Sequence, residues 1–105
     1  MRVYISGAIT GTNDYYWRFA EAEKYLTSKG YKVVNPAAVV HAMPEMEYEE
    51  IMDFCFQLMD MCGAIYMMEG WQQSLGANRE YGYACGKDML ILKYTDEVEQ
   101  WTKQK

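Results

Sequence analysis

Short apolar runs alternate along the chain with longer stretches whose apolar residues recur every three or four positions. That switch of period predicts strands alternating with helices. The first run, RVYIS at Arg2–Ser6, stops at Gly7. The segment GAITGTN from Gly7 to Asn13 reads as a loop, after which Thr12 or Asn13 can cap a helix running to about Ser28. Its inner face is expected to use Trp17, Phe19, Ala22 and Leu26, with Gly30 closing the helix as a C′ residue. YKVVN at Tyr31–Asn35 predicts a second strand ended by Pro36, and Ala37 to Glu45 reads as a loop or short helical turn. Tyr48, Ile51, Met52, Cys55, Leu58, Met59 and Cys62 then mark one face of an amphipathic helix.

Gly63 interrupts that helix, and AIYMM at Ala64–Met68 is apolar enough for a strand buried on both faces. A loop through Trp71 leads to Ser74, which opens a helix ending at Gly86. Met89–Lys93 predicts a fourth strand and Glu97–Gln104 a last helix. The order β-α-β-α-β-α-β-α argues for an open parallel sheet covered by helices on both faces. Ligands of such sheets sit beyond the carboxyl ends of the strands, so the loops Gly7–Thr12, Asn35–Pro44 and Glu69–Ser74 are the candidate site.

Composition narrows the function classes. The 105 residues suit one domain, and 50% hydrophobic with 24% charged residues is a globular balance. No apolar run approaches the ~18 residues of a membrane span, and MRVYISGA has no signal-peptide core, so a soluble, cytoplasmic protein is expected. A net charge of -5 with scattered Lys and Arg disfavours a nucleic-acid polymer as partner. A small anion stays open, because backbone N–H groups bind one without positive side chains. Cys55, Cys62 and Cys85 form no CxxC pair and His41 is the one histidine, so buried thiols are expected rather than a disulfide or zinc site.

The chemistry concentrates in the third loop, GWQQSLGANRE at Gly70–Glu80. Ser74 and Gly76 stand where a helix N-terminus can hold a phosphate, although Ser74 as a plain helix cap fits the same spacing. Glu80 can serve as nucleophile or base, or pair in solvent with a neighbour such as Arg79. Tyr4, Ser6, Gly7 and Gly11 flank the first loop, and Trp71 can stack on a base or serve as a lid or subunit contact.

Taken together, YISGAITG at Tyr4–Gly11, VVNPA at Val33–Ala37 and CGAIYMMEGWQQSLGANRE at Cys62–Glu80 resemble the nucleoside 2-deoxyribosyltransferase-like superfamily. The similarity is closest to its small bacterial and phage members and runs from Met1 to about Leu92. Its most specific part is the SxGxxxE motif at Ser74, Gly76 and Glu80. The resemblance implies a flavodoxin-like or Rossmann-like sheet of order 2-1-3-4, with room for a short fifth strand near the C-terminus. It implies cleavage of the N-glycosidic bond of a 2′-deoxynucleoside or its 5′-monophosphate, without cofactor or metal. By position, Glu80 is then the catalytic nucleophile and Tyr4 the residue that orients it. Ser74 and Gly76 match residues that bind the 5′-phosphate, and with Ser6, Gly7, Gly11 and Trp71 of the loops they make up the candidate substrate-binding set.

Two positions depart from the superfamily pattern. Cys55 stands where an acidic residue helps to protonate the leaving base, and Gly63 where an aspartate precedes the third strand. The general-acid share of catalysis, about 100- to 10,000-fold, is then missing. Competing readings are a nucleotide-binding module with weak or lost catalysis, and an oligomeric interaction protein. The many Met and Tyr residues lead us to expect at least a homodimer, using the Tyr48–Met61 helix or the loop near Trp71.

Overall fold

The computed structural model describes residues 1–95. Strands β1 (Arg2–Ser6), β2 (Lys32–Val34), β3 (Ala64–Met67) and β4 (Leu90–Lys93) form one parallel sheet of order β2-β1-β3-β4. Four helices accompany them: α1 (Tyr15–Ser28), α2 (Pro36–Ala42), α3 (Tyr48–Met59) and α4 (Leu75–Gly86). This is the expected three-layer α/β arrangement with the expected strand order. No fifth strand occurs among the described residues, and the helix expected over Glu97–Gln104 lies outside them.

The central strand shows why the layers form. Side chains alternate across a strand, so Val3 and Ile5 point to one face and Tyr4 and Ser6 to the other, all four fully buried. Val3 and Ile5 join Phe19 and Leu26 of α1, with Ala64 and Tyr66 of β3, in one apolar cluster. Tyr4 joins Cys55 and Met59 of α3, Ala77 and Ala84 of α4, and Ile65 and Met67 of β3 in the other. A sheet buried on both faces needs such unbroken apolar strands, and β3 is buried at every position.

Three local expectations are corrected. Helix α1 starts at Tyr15 after Asp14, not after Thr12 or Asn13, and Asp14 makes no side-chain cap. Trp17 is 70% exposed, while Phe19 and Leu26 are buried. Two residues turn an α-helix by about 200°, so Trp17 cannot share a face with Phe19. The segment after β2 is a regular helix: the Asn35 side chain accepts the N–H of Ala37 at 3.0 Å, and Pro36 occupies the first turn. Proline there costs nothing, because that N–H has no helical acceptor. Thus Asn35-Pro36 starts a helix as well as ending a strand.

Asn35 also donates to Glu23 Oε1 at 2.9 Å, which ties α2 to α1. Replacing Asn35 with Ala is expected to cost about 1 kcal/mol of stability, the usual price of a lost N-cap. Urea unfolding checks this, and an unchanged midpoint would show that the cap is dispensable.

Candidate active site

A cavity of about 530 Å³ opens above the carboxyl end of β1. In order β2-β1-β3-β4 the chain turns one way after β1 and the other way after β3, so this is where a parallel sheet leaves a crevice. The first loop supplies Gly7 to Thr10 and Thr12, α2 supplies Pro36, and the third loop supplies Gln73 and Ser74. Helix α3 closes the cavity with Tyr48, Ile51, Met52 and Cys55, while Gly76 and Glu80 of α4 complete it. Among the described residues no Lys, Arg or His lines the cavity.

Glu80 is 5% exposed although it carries a carboxylate. Its burial follows from the helix: Ala77, Glu80 and Ala84 form the inward stripe of α4 at spacings of three and four. The residues of β1 that face this stripe are Tyr4 and Ser6. The Tyr4 hydroxyl donates to Oε2 and the Ser6 hydroxyl to Oε1, both at 2.6 Å. Such lengths suit hydroxyls donating to an ionised carboxylate. The alternative pairing with Arg79 is not formed, since Arg79 contacts Glu49 at 3.2 Å on the surface.

Cys55 is the site member that pattern reading hides. Its thiol lies near Glu80 and Tyr4, close enough for their charges and protons to affect one another. Burial, then the nearby Glu80 charge, push this thiol up to about 12. Burial first, then Glu80, likewise hold the Tyr4 phenol well above its ordinary range. Both groups therefore stay protonated at neutral pH. Burial also raises Glu80 above the ordinary carboxylate range, against the lowering effect of its donors, with Ser6 the largest. Along α3, Tyr48, Met52 and Cys55 are spaced i, i+4, i+7, so one face carries all three into the cavity. The spacing was visible, but it equally describes a core stripe.

The other sequence-nominated residues divide. Ser74 accepts the N–H of Ala77 at 3.1 Å and so caps α4, while also lining the cavity. Leu75 and Gly76 occupy the first two helical positions, where N–H groups have no intrahelical acceptor. A Cβ on Gly76 would lie 3.3 Å from Met52 Sδ, so its absence opens space at this wall. Gly7 lines the cavity and is also tightly packed, as a Cβ there would lie 2.8 Å from Met68 Sδ. Ser6 is fully buried behind the wall and reaches the site through Glu80. Gly11, at φ +83°, shapes the loop and is not on the wall. Trp71 is only 8% exposed, stacks on Tyr81 at 4.9 Å and does not reach the cavity.

Gly63, the other departure, lies just before β3 at the amino ends of the strands, opposite the cavity. Its N–H donates to Arg2 O, its carbonyl accepts from Leu90, and Met1 packs over it. An acidic side chain there would not face Glu80. Cys85 is exposed rather than buried, and all three cysteines are free. His41 is exposed on α2 and packs at a tilt on Tyr16, with ring centres 4.3 Å apart. Among the described residues no group of three or more His, Cys, Asp or Glu could hold a metal ion. No helix among them is long and apolar enough to cross a membrane.

Residues 1–93 match the model of a family described as a domain of unknown function, DUF4406. The chain belongs to that family. The match covers all four strands and the whole cavity wall. Neither the curated proteins nor the solved structures contain a match to this chain.

Burial of Glu80 has a measurable sign. A carboxyl group whose folded pKa is raised binds its proton more tightly in the folded than in the unfolded state. Its stabilising contribution is complete below the ordinary carboxylate range and is lost as pH rises through the folded pKa. Glu80→Gln removes this titration, so its melting temperature relative to the wild type should increase from about pH 4 to about pH 7. Thermal melts across that range check the trend. A difference that stays constant would mean that Glu80 titrates as in the unfolded chain.

Proposed function

We propose that this protein cleaves the N-glycosidic bond of a 2′-deoxynucleoside or its 5′-monophosphate, as a deoxyribosyltransferase or N-glycosidase, with Glu80 as nucleophile. The observation that carries the reading is the Glu80 carboxylate at the cavity wall, with one oxygen held by Tyr4 and the other by Ser6. Each oxygen keeps a lone pair beyond the one used by its hydroxyl. On this reading an oxygen of Glu80 forms a bond to C1′ as the C1′–N bond breaks and the base leaves with the electron pair. Water or a second base then attacks C1′ and releases the carboxylate. This is the logic of retaining glycoside chemistry, in which a carboxylate captures an oxocarbenium-like carbon.

Tyr4 and Ser6 hold the carboxylate in place and, being neutral donors, leave its charge uncancelled. Ser74 and the N–H groups of Leu75 and Gly76 offer partners to a 5′-phosphate at the start of α4. A second reading, a nucleotide-binding module with little turnover, draws on one specific feature. Among the described residues Glu80 is the one carboxylate lining the cavity, and a thiol pushed up to about 12 at Cys55 is a poor proton donor for a leaving base.

Incubation with the four common deoxynucleosides and their 5′-monophosphates, followed by chromatography for free base, decides between the readings. The enzyme reading expects base release that Glu80→Gln reduces by at least about 1,000-fold while the fold is retained. Turnover that survives in Glu80→Gln would remove Glu80 from the mechanism. Ligand-induced stabilisation without base release would favour the binding module.

Assembly of at least two copies forms part of the same proposal. Leu75, on the cavity wall, is 71% exposed, and Met61, just beyond α3, is 53% exposed. Apolar side chains so placed suit a subunit contact beside the site. Light scattering at micromolar concentration should give at least twice the 12.3 kDa chain mass. A 12.3 kDa particle would refute this.

A further inference from the structure

Tyr48 begins α3 and lines the cavity, and its hydroxyl oxygen is buried with no hydrogen-bond partner. It is the one described side-chain atom in that condition. A buried hydroxyl without a partner is costly, and replacing it with apolar matter of the same shape would be neutral or favourable. Its neighbours fix it in place. The Arg79 guanidinium lies over the ring, 5.6 Å from its centre, close enough for the phenol oxygen to favour the charge but without hydrogen-bond geometry. Glu49 holds that guanidinium from the outside at 3.2 Å.

The position of the oxygen indicates what it serves. A Cβ on Gly76 would stand 3.8 Å from it, so the hydroxyl lies beside the first turn of α4. Gly76 and Glu80 are i and i+4, hence on one face of the helix and about 6 Å apart along its axis. On the deoxynucleoside reading, a pentose with C1′ at Glu80 and its 5′ side toward the start of α4 would bring its exocyclic oxygen toward Gly76 and Tyr48.

We propose that Tyr48 is a ligand-binding, specificity-determining residue whose hydroxyl donates to an oxygen on the 5′ side of the sugar, either the free hydroxyl or a phosphate oxygen. This rests on the deoxynucleoside reading of the cavity. The ring and its packing are structural, whereas the oxygen awaits the ligand.

Tyr48→Phe removes that oxygen alone. Without ligand, its melting temperature should equal or exceed that of the wild type. A loss of more than about 5 °C would mean that the hydroxyl has a structural partner, and would overturn the proposal. Binding is read by calorimetric titration of Glu80→Gln and Glu80→Gln/Tyr48→Phe with the four deoxynucleosides and their 5′-monophosphates, so that turnover does not interfere. About tenfold weaker binding in the double variant is expected. An equal loss for nucleoside and monophosphate identifies the sugar hydroxyl as partner, and a loss confined to monophosphates identifies the phosphate. Unchanged affinity overturns the role of Tyr48 and leaves the function reading standing. If no member of the panel binds either protein, both the function reading and this inference fall.

Discussion

Glu80 takes its carboxylate where water hardly reaches, and the hydroxyls of Tyr4 and Ser6 meet it there at 2.6 Å each. Moving a carboxylate out of water costs several kcal/mol even after relaxation. Two hydrogen bonds to a charged group return about 1.5–3 kcal/mol each. The balance is close enough that the whole neighbourhood must keep its geometry. Tyr4 and Ser6 face α4 because they are two residues apart on a strand hydrogen-bonded on both sides, with Tyr4 opposite Val34 and Ile65. Ala77 and Ala84 are small enough to bring α4 close to the sheet, and both are buried. Longer side chains there would lift the helix and pull Glu80 away from its donors.

Both hydroxyl donors to this carboxylate are neutral, and no cation lines the cavity among the described residues. The site therefore keeps a negative potential when Glu80 is ionised. A fixed negative charge stabilises positive charge that develops beside it, more strongly in a water-poor cavity than in solution. An oxocarbenium-like carbon is such a charge. The same field opposes a bound phosphate, so any phosphate must lie toward the far end of the cavity, at the first turn of α4. There the helix dipole has the opposite sign.

The fold was legible in the sequence because burial on both faces leaves a plain trace: short apolar runs, glycine at their ends, and helical spacing between them. Local structure was legible where side chain and backbone act together, as at Ser74, which caps α4 and stands on the cavity wall. Other residues misled because type does not determine direction. Trp17 looked like core and faces solvent, since the helix phase is set by Phe19 and Leu26. Trp71 looked like a ligand-stacking residue and instead packs on Tyr81, with Lys93 Nζ 6.0 Å from its ring centre. Tyr48 was hidden, and Cys55 was placed near the site only by resemblance, because a cavity wall and a packed core use the same stripe. Only the partners of the Cys55 thiol and the missing partner of the Tyr48 hydroxyl separate the two. Both are three-dimensional facts.

Cys55 also bears on how far the chemistry can go. A second carboxylate beside Glu80 would place like charges together, and one of the two would hold its proton. That proton is what a leaving base needs. A thiol cannot supply it: the burial and the Glu80 charge that keep Cys55 protonated also make its proton hard to give up. On the proposed reading, the leaving base must then depend on water or on its own basicity. Purines, whose ring nitrogens accept a proton more readily than the oxygens of thymine, would leave more easily. The cavity would thus favour some bases through departure rather than recognition, with Glu80 doing the same work for each at C1′.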